Sequence, residues 1–129
     1  MTFWYLATPY SRYYSRYPGG IHVAFDQACY QASILIRAGV RVYCPIAHTH
    51  PIAMQGGLDP HDHAIWLPAD RPFIDAAHGL IVCKMAGWEE SKGVKAEIAI
   101  FEEADKPVLF MELGHVPRGI GRVVEGEAA

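Results

Sequence analysis

The sequence predicts an α/β fold, a single domain built on a doubly wound parallel sheet of four to five strands flanked by helices. Three observations predict it. Short apolar runs alternate with longer segments of helical period. Those runs are apolar enough to be covered on both faces, as strands of a parallel sheet are. A length of 129 residues with 51% hydrophobic content suffices for one continuous core.

Thr2 to Ala7 (TFWYLA) is aromatic and aliphatic and stops at Thr8-Pro9, which suits a buried strand running into a loop. Tyr10 to Gly20 (YSRYYSRYPGG) mixes tyrosine, serine and arginine before a Pro-Gly-Gly breaker and reads as an exposed loop. Ile21, Ala24, Phe25, Ala28, Ala32, Leu35 and Ile36 then recur at three- and four-residue intervals, with Gly39 as the cap of an amphipathic helix. Val40 to Cys44 (VRVYC) forms the second strand, halted by Pro45. From Pro45 to Pro60 the prolines, paired glycines and histidines show no sustained period, so a long loop is expected. Asp62 to Ala77 is helical in part, with Pro68 and Pro72 expected to break or restart it. Gly79 to Met85 (GLIVCKM) is the third strand, Ser91 to Ala104 a second strong helix, and Pro107 to Met111 (PVLFM) the fourth strand. The tail after about residue 112 is Gly-rich and is expected to be partly mobile. The order suits a flavodoxin-like or Rossmann-like sheet, in which ligands bind where the loops after the strands converge.

Eleven basic residues against fourteen acidic ones give a net charge of -3, without the basic excess that a nucleic-acid groove or an anionic membrane surface requires. Polymer and membrane partners are therefore not expected. No apolar run approaches the roughly 20 residues of a membrane span, and Met1 to Tyr10 has neither a basic start nor a long apolar core. Cys29, Cys44 and Cys83 lie in apolar stretches without C-x-x-C spacing and read as buried thiols in a reducing, cytoplasmic compartment.

The chemistry concentrates in Gly87 to Pro107, GWEESKGVKAEIAIFEEADKP. Ser91 opens the helix, Gly93 lies in its first turn, and Val94, Ile98 and Phe101 form the buried stripe. Glu97 follows Gly93 by four residues. Helical side chains lean toward the amino terminus, so the carboxylate projects over a turn that has no side chain. A glycine there costs about 1 kcal/mol against alanine, which implies a steric requirement. Ser91 and the free amides of the first turn would form an anion site. Geometry alone also allows Ser91 to be only a cap and Glu97 a solvated charge.

Tyr5-Leu6-Ala7 and Ser91-x-Gly93-x-x-x-Glu97 followed by Lys106-Pro107 resemble the nucleoside 2-deoxyribosyltransferase superfamily, over roughly Phe3 to Met111. The resemblance implies that Glu97 is the nucleophile at the anomeric carbon, Asp70 the acid assisting the departing base, and Tyr5 the residue that orients the nucleophile. Serine at position 91, where the transferases have aspartate, resembles the 2'-deoxynucleoside 5'-monophosphate N-glycosidase branch. There the hydroxyl helps bind phosphate, with Ser11 and Arg12 as further contacts. His78 departs from the aspartate common in relatives. The implied activity is hydrolysis of an N-glycosidic bond without metal or organic cofactor, on a small-molecule nucleoside or nucleotide, in at least a homodimer. Base exchange by a deoxyribosyltransferase and a non-catalytic nucleotide sensor are the alternatives.

His48, His50, His61 and His63 form two H-x-H pairs. Such pairs bind metal in some proteins, but the expectation here is that one or two of them, His48 first, line the pocket. Tyr10, Tyr13, Tyr14 and Tyr17 suit either a stacking lid or a subunit interface.

Overall fold

A computed structural model describes residues 2–11 and 20–120. Its elements are β1 (Trp4–Ala7), α1 (Gly20–Arg37), β2 (Val42–Tyr43), α2 (Pro45–Gly56), α3 (His63–Ala76), β3 (Gly79–Cys83), a short 3-10 turn (Trp88–Glu90), α4 (Lys92–Glu103) and β4 (Val108–Met111). The four strands pair in the order β2-β1-β3-β4, each pairing parallel. The predicted α/β class is therefore the observed one, with four strands and four α-helices among the described residues. Chain order reverses between β1 and β3, which makes their carboxyl ends the switch point of the sheet.

Alternation along the strands divides the core. Trp4, Leu6, Ile81 and Cys83 face α1 through Ala28, Ala32 and Leu35, with Ile46 and Ala47 of α2 beside them. Tyr5, Ala7, Leu80 and Val82 face Ile74 of α3 and Val94 and Phe101 of α4. Both sheet faces are covered, which is why the strand sequences are apolar throughout rather than alternating.

Two expectations are corrected. The segment predicted as a long loop is the helix α2. Pro45 stands at its start, where a missing N–H is harmless, and Gly57 closes it in the left-handed region at φ 66. Its buried stripe is Pro45, Thr49, His50 and Ala53, spaced for a helix but poor in aliphatic residues. The second correction concerns Pro68 and Pro72, which do not interrupt α3. Both are exposed, as are Ala64 and Pro68, whose carbonyls lose their amide partners, so water can satisfy those groups.

Lys106 ties the helices together. Its ammonium donates to the Ile74 and Asp75 carbonyls at 3.1 and 2.7 Å, capping the carboxyl end of α3 from the loop after α4. Beyond β4, the chain expected to be mobile from about residue 112 is held as far as Ile120. The Gly114 N–H donates to Gln31 Oε1 at 2.8 Å, and Ile120 enters the core beside α1. Residues 121–129 lie outside the described residues.

Candidate active site

Tyr5 and Tyr43 are register partners on β1 and β2. Adjacent parallel strands turn register partners to the same face, and both tyrosines belong to the cluster under α3 and α4. Their rings lie 5.9 Å apart. Tyr5 also packs against Phe101 of α4 at 5.7 Å, and Tyr43 stacks on Phe73 of α3 at 4.1 Å with the rings 2° from parallel. Each phenol is thus anchored by the helix that supplies one carboxyl, Asp70 from α3 and Glu97 from α4. Tyr5 feels the charges of both carboxyls.

Burial dominates the electrostatics. It pushes the Glu97 carboxyl up to about 8; the nearby Tyr5 hydroxyl lowers it and the Asp70 charge raises it. Burial alone lifts Asp70 to about 6. Tyr5 is driven far above the usual phenol range by burial, then by Glu97 and Asp70. Glu97 is nevertheless partly accessible, so surrounding protein desolvates it without sealing it off. The Tyr5 hydroxyl is close enough to influence Glu97 but forms no hydrogen bond of good geometry, and its oxygen is buried without a partner. Asp70 Oδ1 and Tyr43 Oη are buried and unpartnered as well. Buried polar atoms are nearly always paired, so two unpartnered phenol oxygens, with one oxygen of Asp70 itself unpartnered, are groups that a polar ligand would satisfy.

Ser91 caps α4, its Oγ accepting from the Val94 N–H at 3.2 Å. The hydroxyl proton remains available to donate to an anion. At Gly93 an added methyl would meet only Ser91 Oγ, at 3.9 Å. The protein's own packing therefore does not require glycine there, and the space toward Glu97 one turn on is open. Gly93→Ala is accordingly expected to raise stability by about 0.5–1 kcal/mol through helix propensity, while weakening turnover of a substrate that uses the space. Thermal unfolding and activity measured on the same sample check both signs.

His48 is exposed, with its ring 5.9 Å from Tyr43 and 6.2 Å from Phe73, at the rim of the site. Ser11 is exposed at the end of the β1 loop and bonded to His61 Nδ1 at 2.7 Å. Arg12 lies outside the described residues, as do Tyr13, Tyr14 and Tyr17. His50 turns the other way: it is buried, bonded to Tyr10 Oη at 2.6 Å and His22 Nδ1 at 3.2 Å, and stacked on Phe25. Among the described residues no three His, Cys, Asp or Glu side chains assemble as a metal-binding group. His78 lies at the amino ends of the strands, its N–H on the Phe3 carbonyl and its ring edge against Trp4, away from the site.

An open hollow of about 350 Å³ between the carboxyl-terminal turns of α3 and α4 is lined by Arg71, Ile74, Asp75, Phe101, Glu103 and Lys106. It includes neither Asp70 nor Glu97, and its walls are an exposed ion pair and a lysine already engaged with carbonyls. The two carboxyls lie to the amino-terminal side of it on their helices. Sequence reasoning missed Tyr43, whose only local signal is a polar aromatic residue at the end of a short strand.

The fold and these side chains define a small α/β protein with two desolvated carboxyls near two phenols whose hydroxyls are buried. Over residues 2–113 the chain matches the family described as a domain of unknown function (DUF1937), and it belongs to that family. No curated protein matches it.

Proposed function

We propose that the protein hydrolyses the N-glycosidic bond of a (deoxy)nucleoside 5'-monophosphate or a modified nucleotide through a covalent glycosyl intermediate on Glu97. The observation that carries this reading is that Glu97, Asp70 and the Tyr5 phenol lie within electrostatic reach of one another in a desolvated but accessible niche, with the Tyr5 hydroxyl and Asp70 Oδ1 buried and unpartnered. The resemblance at Tyr5, Ser91, Gly93, Glu97 and Lys106 supports the same assignment.

Ionised Glu97 attacks the anomeric carbon as the bond to the base nitrogen breaks, and the bonding electrons leave with the base. Asp70 delivers a proton to the base. The glycosyl ester on Glu97 is then cleaved by water, whose proton returns to Asp70, releasing the sugar phosphate and restoring both carboxyls. Two carboxyls in one desolvated niche share a proton near neutrality. Burial favours keeping it on Glu97, whereas the reaction needs it on Asp70. Positive charge developing on the sugar favours ionised Glu97 and reverses the order. Ser91 and the first-turn amides of α4 hold the phosphate, where the helix dipole favours an anion.

A screen of nucleosides and 5'-monophosphates for released base and reducing sugar tests the proposal. Hydrolysis is expected to favour the monophosphates. Capture of the glycosyl group by an added free base, without reducing sugar, would make the protein a transferase. Tight binding of intact nucleotide without turnover would make it a sensor. Ser91→Asp keeps an equally good helix cap and is expected to lower the preference for monophosphate over nucleoside by roughly tenfold, through charge repulsion. An unchanged ratio would remove Ser91 from the phosphate site.

Among the described residues no helix is long and apolar enough to cross a membrane, and we propose a cytoplasmic setting. We extend the proposal to a homodimer or larger homo-oligomer, measurable by sedimentation.

A further inference from the structure

Glu97, Asp70, Tyr5 and Ser91 account for nucleophile, acid, orienting phenol and phosphate contact, and leave one buried polar group of the same niche unused. Tyr43 stands beside Tyr5 in the β1–β2 register, so the two phenols rise from one sheet face. Its ring is fixed by the parallel stack on Phe73, three residues after Asp70 on α3. The hydroxyl is buried with no hydrogen-bond partner, and so is Asp70 Oδ1. Tyr43 and Asp70 are within electrostatic reach of each other, and burial, followed by the Asp70 charge, lifts the phenol to about 12, so it remains a donor at any working pH.

A rigid, permanently protonated donor left unbonded beside the acid is poorly explained by stability, because an unsatisfied buried hydroxyl is destabilising. It is well explained by an acceptor that arrives with the ligand. Deepening the reading given above and resting on it, we propose that Tyr43 is a substrate-contacting residue whose hydroxyl donates to the acceptor atom flanking the glycosidic nitrogen of the departing base. In a purine that atom is a ring nitrogen; in a pyrimidine it is a carbonyl oxygen. Each lies two bonds from the nitrogen being released, across a single ring carbon. The hydrogen bond strengthens as negative charge spreads into the leaving base, so it favours departure more than binding. The substrates it selects are nucleotides whose base carries an unprotonated nitrogen or oxygen at that position.

The test compares wild type, Tyr43→Phe and Glu97→Gln on a purine 5'-monophosphate and its 3-deaza counterpart, in which the flanking nitrogen is a C–H. For a pyrimidine substrate the 2-thio counterpart, a weaker acceptor, takes its place. Tyr43→Phe keeps the stack on Phe73. It is expected to lower kcat/KM about 10- to 100-fold on the parent nucleotide and to change turnover of the analogue little. Because it removes an unpartnered hydroxyl, it is also expected to leave Tm unchanged or raised. Equal losses on both substrates, or a fall in Tm, would make Tyr43 structural and overturn the proposal. Normal turnover by Tyr43→Phe with an inactive Glu97→Gln would overturn it while sparing the glycosidase reading. No base release by wild type from any nucleotide would overturn both.

Discussion

Glu97→Gln is expected to lose base release by on the order of 10³-fold or more, the scale seen when a covalent nucleophile is removed, and at the same time to make the fold more stable in mildly alkaline solution. The second effect follows from the raised carboxyl. Burial holds Glu97 at about 8, above the value of an exposed glutamate. Between those two values the folded chain binds a proton that the unfolded chain has released, so stability is fully present below the unfolded pKa and is lost as pH rises through the folded one. Glutamine never ionises and escapes that loss. The variant should therefore match wild type near pH 4 and exceed it at pH 9, by on the order of 1–2 kcal/mol for a partly accessible group. Thermal unfolding across that range, run beside the base-release assay, separates the effects. A variant less stable at every pH would show that the carboxylate holds the fold together. One that keeps its activity would remove it as nucleophile.

Such a trade between stability and activity is what a sequence reveals poorly. The helix that carries Glu97 was legible because it announces itself, with a capping serine, a stripe at Val94, Ile98 and Phe101, and a glycine one turn above the carboxylate. Its spacing left Glu97 open between a site carboxylate and a solvated charge, and the resemblance singled it out. Asp70 was legible only through the resemblance, since its own helix contains two prolines that local rules treat as breaks. Those rules misjudged α3 because both prolines fall on the exposed face, where water substitutes for the missing amides. They misjudged α2 for a different reason. Its buried stripe runs through Thr49 and His50, and each is made fit for burial by a bond that hydropathy does not record. Thr49 Oγ1 donates to the Pro45 carbonyl at 2.9 Å, and His50 is bonded at both ring nitrogens. Tyr43 was illegible for a third reason, that its partner in the site is 38 positions away and is fixed only by strand register. Spacing along a helix can be counted from the sequence, whereas which residue of β2 lies beside Tyr5 cannot.

Register also fixes the position at which a single methyl group should do the greatest structural damage. Gly79 opens β3 opposite Trp4 of β1, and a methyl there would meet the Pro107 carbonyl at 2.6 Å, the Trp4 ring at 2.7 Å and the Pro107 ring at 2.8 Å. Neither a backbone carbonyl nor an indole packed in the core can step aside. The Pro107 carbonyl also accepts the Leu80 N–H at 2.9 Å, so moving it breaks the first link between β3 and β4. Gly79→Ala is expected to cost about 3 kcal/mol, the upper end of the usual range for overpacking, and to lower Tm by roughly 10 °C. Gly93→Ala, in open space, should change stability in the opposite direction. The activity effects should be crossed as well. Gly79 lies at the strand ends remote from α4's first turn, so its variant should keep turnover per folded molecule at low temperature, whereas the stabilised Gly93 variant should lose it. If Gly79→Ala instead folds as well as wild type, the close meeting of β1, β3 and β4 is wrong, and with it the register that sets Gly79 opposite Trp4.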